Sequence, residues 1–120
     1  MEVKIHIHNN KKIAEVISET VLIKNASDGL DLMGNLYYQD VDKIILHQKN
    51  ITSEFFDLKN GLAGEILQKF SNYRVRLAIV GDFSSYTSKS ITDFMFESNK
   101  MGQINFVKSV DEALAVLTLD

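Results

Sequence analysis

Two short, almost wholly apolar runs place the strongest constraint on how this chain folds. One is Lys43-Ile44-Ile45-Leu46-His47, and the other is Arg74-Val75-Arg76-Leu77-Ala78-Ile79-Val80, which ends just before Gly81. Continuous apolar runs of this length are typical of strands that are covered on both faces, as in parallel sheets with flanking helices. The two runs therefore predict central strands of an α/β domain.

Amphipathic helices are predicted between and around these strands. Apolar residues recur at three- and four-residue steps in four segments, at residues 30–37, 62–73, 91–98 and 113–117. Gly29 and Gly34 weaken the first helix, since a glycine in a helix costs about 1 kcal/mol against alanine. The last helix opens with a capping box, in which Ser109 and Glu112 are expected to bond each other's backbone amides.

The N-terminal residues predict an antiparallel β-hairpin. Apolar and polar side chains alternate over residues 3–8. After Asn9-Asn10, the set Ile13, Glu15 and Ile17 alternates with the set Lys12, Ala14 and Val16. Asparagine tolerates the positive φ that a two-residue hairpin turn requires. Residues 21–23 are either a further short strand or an extended link, and residues 104–107 predict a final strand. Alternating strands and helices after residue 40 indicate a mostly parallel sheet.

Composition excludes several classes of protein. The 120 residues fit one domain, 1–120, with 45% apolar and 24% charged residues. Without cysteine, neither disulfides nor a thiol nucleophile contribute. A net charge of −3 with scattered lysines and arginines argues against nucleic acid. The chain has no signal-peptide pattern and no apolar run near the ~20 residues of a membrane span, so we expect a cytoplasmic protein that does not enter a membrane.

The candidate functional surface lies where the predicted parallel strands end. Ligands of open α/β sheets bind beyond the carboxyl ends of the strands. Those ends fall at residues 47–50, 81–88 and 108–109, with residues 54–60 overhanging the same edge. Neither a GxxxxGK[ST] run nor a GxGxxG after the first strand occurs, so nucleotide binding by these routes is disfavoured and no cofactor is expected.

The polar residues at this edge each allow two interpretations. Hydroxyls are dense over residues 81–90, which include Ser84 and Ser85. Free amides at the following helix N-terminus, with Ser88 or Ser90, could hold an anion, but helix caps and turns give the same pattern, which we favour. His47 could act as an acid or base if Asp82 or a serine approached it. Asp57 and Asp82 could face one cleft as paired carboxylates, or stabilise helix N-termini.

Two other motifs are better explained without a ligand. His6 and His8 point to one face of a strand and could bind a metal, yet no third ligand stands at a suggestive spacing, so we interpret them as solvent-facing. Gly61-Leu62-Ala63-Gly64 is similar to the GXXG loop of an RNA-binding module. Lysine and arginine are sparse around it, so close packing of a helix on the sheet is the better interpretation.

Three segments carry a distant family resemblance. Asp57-Leu58-Lys59-Asn60-Gly61-Leu62 is similar to an Asp-Ser-Ser-Gly-Leu loop at a helix start, and residues 88–106 and 112–117 match the elements that follow such a loop. Together with the element order, they resemble the STAS domains of anti-sigma-factor antagonists and sulfate transporters. The resemblance implies a STAS-like α/β fold and a regulatory role. Lys59-Asn60 replaces the antagonists' phosphorylated serine, so that switch cannot operate here.

A closer resemblance covers nearly the whole chain. Residues 55–73, the run Ala78-Ile79-Val80-Gly81-Asp82-Phe83 and Glu97-Ser98-Asn99-Lys100 resemble the hallmarks of a mainly bacterial family, domain of unknown function 4180. That resemblance implies no activity, substrate or catalytic residue. It leaves function to be argued from the chain itself.

Two functions follow from these observations. The favoured one is a non-catalytic, STAS-like interaction or regulatory module that binds a protein partner through Asp57, Lys59, Asn60 and Gly61. The alternative is a small-molecule or anion-binding protein, or a weak enzyme, that uses the strand-end residues His47, Asp82, Ser84, Ser85 and Ser88. A homodimer through an exposed edge or Phe96 is left open.

Overall fold

Five strands and four helices make up the structure, a computed structural model in which residues 1–119 are described. In chain order they are β1 (Glu2–His8), β2 (Lys11–Ile17), α1 (Ala26–Tyr37), β3 (Lys43–His47), α2 (Leu62–Asn72), β4 (Arg76–Val80), α3 (Lys89–Met101), β5 (Ile104–Val107) and α4 (Val110–Leu117). Three single-turn 3₁₀ helices, Gln48–Asn50, Ser53–Phe56 and Leu58–Asn60, connect β3 to α2. None of the described helices is long and apolar enough to cross a membrane.

The strands lie side by side in the order in which they occur in the chain. β1 and β2 pair antiparallel, and each later neighbour pairs parallel, with Ala14 beside Ile44 and Ile45 beside Ala78. Asn9 and Asn10 have φ values of 52° and 64°, as the predicted hairpin turn requires. The predicted α/β fold, a hairpin joined to a mostly parallel sheet with four helices, is therefore confirmed.

The two faces of the sheet are closed by different elements. On the first face, α1, α2, α3 and the turn Ser53–Phe56 enclose a large apolar core centred on Phe55, Phe70 and Leu36. On the second face α4 packs Ala113 and Leu117 against one residue from each of the strands β2 to β5, namely Ile13, Ile45, Ala78 and Val107. α4 therefore leaves the β1 side of this face uncovered by a helix.

Arg76 fixes the end of α4 against the sheet. Its guanidinium donates to the carbonyl oxygens of Val116 at 2.9 Å, Leu117 at 3.3 Å and Gly102 at 2.9 Å. These carbonyls close α3 and α4, where the helix dipole favours a cation. One side chain thus satisfies the ends of helices on both faces.

Two local expectations need correction, and one open alternative is decided. β4 begins at Arg76 rather than Arg74, because Arg74 adopts a φ of 56°, which a strand does not accommodate. Ser109 caps α4 as predicted, but the Glu112 carboxylate accepts from the amide of Lys108 at 3.0 Å instead of that of Ser109. Residues 21–23 form a link in which Ile23 makes a single parallel bridge to Ile51.

Candidate functional site

A buried glutamate joins two histidines on the second face of the sheet. Glu15 lies in β2, between the strands that carry His6 and His47. Its Oε1 is 2.9 Å from Nε2 of His6, and its Oε2 is 2.8 Å from Nε2 of His47. Only 7% of Glu15 is exposed. We call these three residues the His–Glu–His cluster.

The histidines keep the buried carboxyl group ionised. Burial raises the pKa of Glu15, but hydrogen bonds and charge from His47 and His6 outweigh it and leave that pKa below its ordinary value. Both carboxylate oxygens have an imidazole partner, so the cluster satisfies a charge that would otherwise be costly to bury. The cluster is therefore a hydrogen-bonded group in which both carboxylate oxygens of Glu15 are occupied.

The cluster changes the interpretation of His6 and His47. His6 is not simply solvent-facing, because it lies part-buried against Glu15, while His8 is exposed. Nowhere in residues 1–119 do three histidine, aspartate or glutamate side chains stand in an arrangement that could hold a metal ion. Across the same residues no hydrogen bond joins His47 to Asp82, Ser84 or Ser85; His47 is bonded to Glu15 instead.

Asp82 is engaged in the turn that follows β4. Its carboxylate accepts from the amide of Ser84 at 3.0 Å, and its own amide donates to Oε1 of Gln48 at 3.1 Å. Hydrogen bonds from Ser84, aided by the charge of Lys108, hold the pKa of Asp82 below its ordinary value. A Cβ at Gly81 would lie 2.7 Å from Cβ of Gln48, so only glycine lets the turn approach Gln48 this closely.

Of the three candidate serines at this edge, one caps a helix and two are exposed to solvent. Ser88 accepts from the amide of Ile91 at 3.4 Å and so caps α3, as the cap interpretation predicts. Ser84 and Ser85 are exposed beside it. The edge therefore presents hydroxyls to solvent without an aligned base.

The loop of residues 57–61 is held by its own side chains. Asp57 accepts from the amide of Lys59 at 3.3 Å. Asn60 donates to the carbonyl of Glu54 at 2.8 Å and accepts from the amide of Leu62 at 2.9 Å. Gly61 takes a φ of 77°, which opens α2. Lys59 remains exposed, so the loop presents one cation on a rigid frame.

A cleft of about 470 Å³ opens at the carboxyl end of β3, and we call it the strand-end cleft. It is lined by Val21, Gln48, Lys49, Ile51, Ser53, Phe56 and Tyr86. Phe56 and Tyr86 stack at 4.5 Å with their rings inclined by 17°, forming an aromatic wall. Neither Asp57 nor Asp82 lines this cleft, so the expected carboxylate pair does not form in it.

Asn50 lies between two cleft-lining residues, Lys49 and Ile51, and holds the segment that precedes Val21. It is fully buried, and its Nδ2 donates to the carbonyls of Ser18 at 2.8 Å and Thr20 at 2.9 Å. Its Oδ1 accepts from the amide of His47 at 3.2 Å. These bonds fix the segment that leads to Val21, so the cleft is preformed.

A second groove lies at the other ends of the strands, next to residues that precede β3 and β4. It has a volume of about 550 Å³ and is lined by Leu30, Met33, Gly34, Tyr37, Tyr38, Tyr73 and Val75. The tyrosines are largely exposed. No charged side chain lines this groove, and its polar side-chain groups are the three tyrosine hydroxyls.

Comparison with known proteins identifies one match. A family model described as a domain of unknown function, DUF4180, matches residues 8–117. Neither the curated proteins nor the solved structures contain a match to the chain.

Proposed function

The chain belongs to the family of domain of unknown function DUF4180, and we propose that it is a non-catalytic interaction module that binds a protein segment at the strand-end cleft. The observation that carries the proposal is a preformed aromatic cleft continuous with the rigid loop of residues 57–61. The STAS-like element order supports a regulatory role for such a module. A cytoplasmic location belongs to the same proposal.

The chemistry of the cleft favours an apolar side chain next to a carboxylate. Phe56, Tyr86, Ile51 and Val21 offer an apolar and aromatic surface. Lys49 lies at its mouth, in an exposed 3.0 Å ion pair with Glu19. Exposed pairs of this kind contribute about 0–1 kcal/mol, so Lys49 can exchange Glu19 for an incoming carboxylate at little cost.

The polar residues of the edge support binding over catalysis. Asp57 and Asn60 are bonded to backbone groups of their own loop, and Ser88 caps α3. A nucleophile needs a base within hydrogen-bond reach. His47, the base at this edge, is bonded to Glu15 and does not line the cleft.

Affinity capture from the native cell lysate, analysed by mass spectrometry, tests the proposal. We expect a stoichiometric protein that the unaltered chain and Lys100→Glu, on exposed α3, both retain. Lys49→Glu should lose it, and Lys59→Glu should weaken its capture. Asn60→Trp, which also breaks two loop hydrogen bonds, should lose it too. Equal capture by Lys49→Glu and Lys100→Glu, or no partner for folded protein, would contradict the proposal.

A small organic acid is the second candidate occupant. The cleft volume of about 470 Å³ falls within the range of small-molecule pockets. The polar residues His47, Asp82, Ser84, Ser85 and Ser88 lie at the same edge. A thermal-shift panel of apolar carboxylic acids and sugar phosphates tests this candidate, since a ligand at 100 times its Kd adds about 2.7 kcal/mol. Shifts lost in Lys49→Glu would favour it over the protein segment.

A further inference from the structure

We propose that this protein forms a two-fold symmetric dimer in which β1 of one copy pairs antiparallel with β1 of a second copy. β1 is the outermost strand of the sheet, and β2 is its strand neighbour in residues 1–119. Its outer edge therefore carries backbone amides and carbonyls that the sheet does not pair. Pairing two such edges joins the two sheets into one of ten strands.

An apolar stripe runs along the same strand. Val3, Ile5 and Ile7 alternate onto the first face of the sheet, where Ile5 is 38% and Ile7 69% exposed. Monomeric proteins protect an outer strand with lysine, proline or a bulge. The chain has no proline, and Lys4 lies on the other face. The apolar stripe itself carries no lysine, and β1 has neither proline nor a bulge in its register with β2.

One register makes the strand complementary to itself. When Ile5 lies opposite Ile5 of the other copy, all seven residues of β1 are paired. Val3 then faces Ile7, which joins the two apolar stripes into one patch of six side chains. Glu2 faces His8 at both ends, a pairing of favourable charge when the imidazole is protonated.

The remaining pair of this register is also accommodated. Lys4 faces His6 of the other copy, and within its own chain Lys4 lies opposite Glu15. Because Glu15 already bonds His6 at 2.9 Å, each copy contributes a carboxylate beside this Lys4–His6 pair. Self-complementarity in shape and charge is what a two-fold interface requires, and it favours a second copy over an unrelated strand.

Engineered cysteines test the register directly, because the native chain contains none. Directly opposed residues have Cα atoms about 4.5–5.5 Å apart, within the range of a disulfide. Ile5→Cys should therefore form a covalent dimer on mild oxidation. A mixture of Val3→Cys and Ile7→Cys should form the mixed dimer faster than either variant alone. Phe96→Cys, 63% exposed on α3, is the control for random collision.

Solution mass tests the assembly without new cysteines. Light scattering at about 100 µM should give the native protein twice its 13.6 kDa chain mass. Ile7→Lys should raise the dimer dissociation constant at least tenfold, and Phe96→Lys should leave it unchanged. A native monomer at that concentration, or Ile5→Cys crosslinking no faster than Phe96→Cys, would overturn the proposal. If Ile7→Lys does not fold by circular dichroism, the cysteine series decides.

Discussion

The two faces of the sheet are closed by opposite means. On the first face, three helices bury an aromatic core in which Phe55 contacts Phe56, Phe94 and Phe106 at ring distances of 5.1–6.4 Å. On the second face, α4 covers part of the strands, and Glu15 with its two histidines closes the remainder. The first closure is apolar, and the second depends on charge.

The difference shows how a small domain closes a sheet with too few helices. Parallel strands in chain order with same-handed connections carry their helices on one face, so α4 alone is left for the other. An ionised carboxylate between two imidazoles occupies the β1 side of the second face, which no helix covers, without exposing an apolar patch. The effects of substitutions on the free energy of unfolding should therefore differ between the two faces in size and in their dependence on pH.

The largest effect is expected from the first face. Phe55 is fully buried, and Phe55→Ala should lower the free energy of unfolding by about 3–5 kcal/mol, since transfer and cavity terms add. Urea denaturation measures the loss. Phe96→Ala, on the exposed side of α3, should change the free energy by less than about 0.5 kcal/mol. A loss below about 1 kcal/mol for Phe55→Ala would place the core elsewhere.

Removing the carboxylate of the second face should have a smaller effect. Glu15→Ala leaves His6 and His47 without their shared acceptor, and we expect a loss of about 1–3 kcal/mol in the same measurement. Glu19→Ala, whose carboxylate is exposed, provides the matched control. Equal effects for the two variants would show that the His–Glu–His cluster does not stabilise this face.

The elements that the sequence predicted well are those encoded locally. β3 has the bounds of its apolar run, and the hairpin turn falls at Asn9 and Asn10 because both the alternation and the turn chemistry are contained in neighbouring residues. The order of the strands had no such local signal. The strand order depends on the face of the sheet against which each connecting helix packs.

The candidate site was less predictable because its residues meet from distant parts of the chain. Glu15 stands among apolar residues in β2, and nothing local to it indicates its two histidine partners. Its burial arises only when β1 and β3 flank it, 9 and 32 residues away at His6 and His47. Phe56 and Tyr86 form the aromatic wall in the same way, from separate loops.

A conservative substitution separates the charge of the cluster from its shape. The amide of Glu15→Gln can accept from one imidazole and donate to the other, so it fills the same space without a charge. We expect it to lower the free energy of unfolding by about 0.5–1.5 kcal/mol at neutral pH, because charge-assisted hydrogen bonds become neutral ones. A loss as large as that of Glu15→Ala would show that the charge of the carboxylate, and not its shape, provides the whole stabilisation.

The smallest effect should be a change with pH in the stability difference between the native protein and Glu15→Gln. The folded pKa of Glu15 lies below its ordinary value of 4.5, so the ionised carboxylate stabilises the fold above that value and loses this contribution as pH falls through the folded pKa. The gap between the native protein and Glu15→Gln should therefore close on acidification from about pH 5 to about pH 3. Phe55→Ala should keep its deficit over this range, because removing an apolar side chain changes no charge. Urea denaturation of the three proteins at each pH makes the comparison. A constant gap would mean that Glu15 titrates alike in the folded and unfolded chains, so that charge does not distinguish the second face from the first.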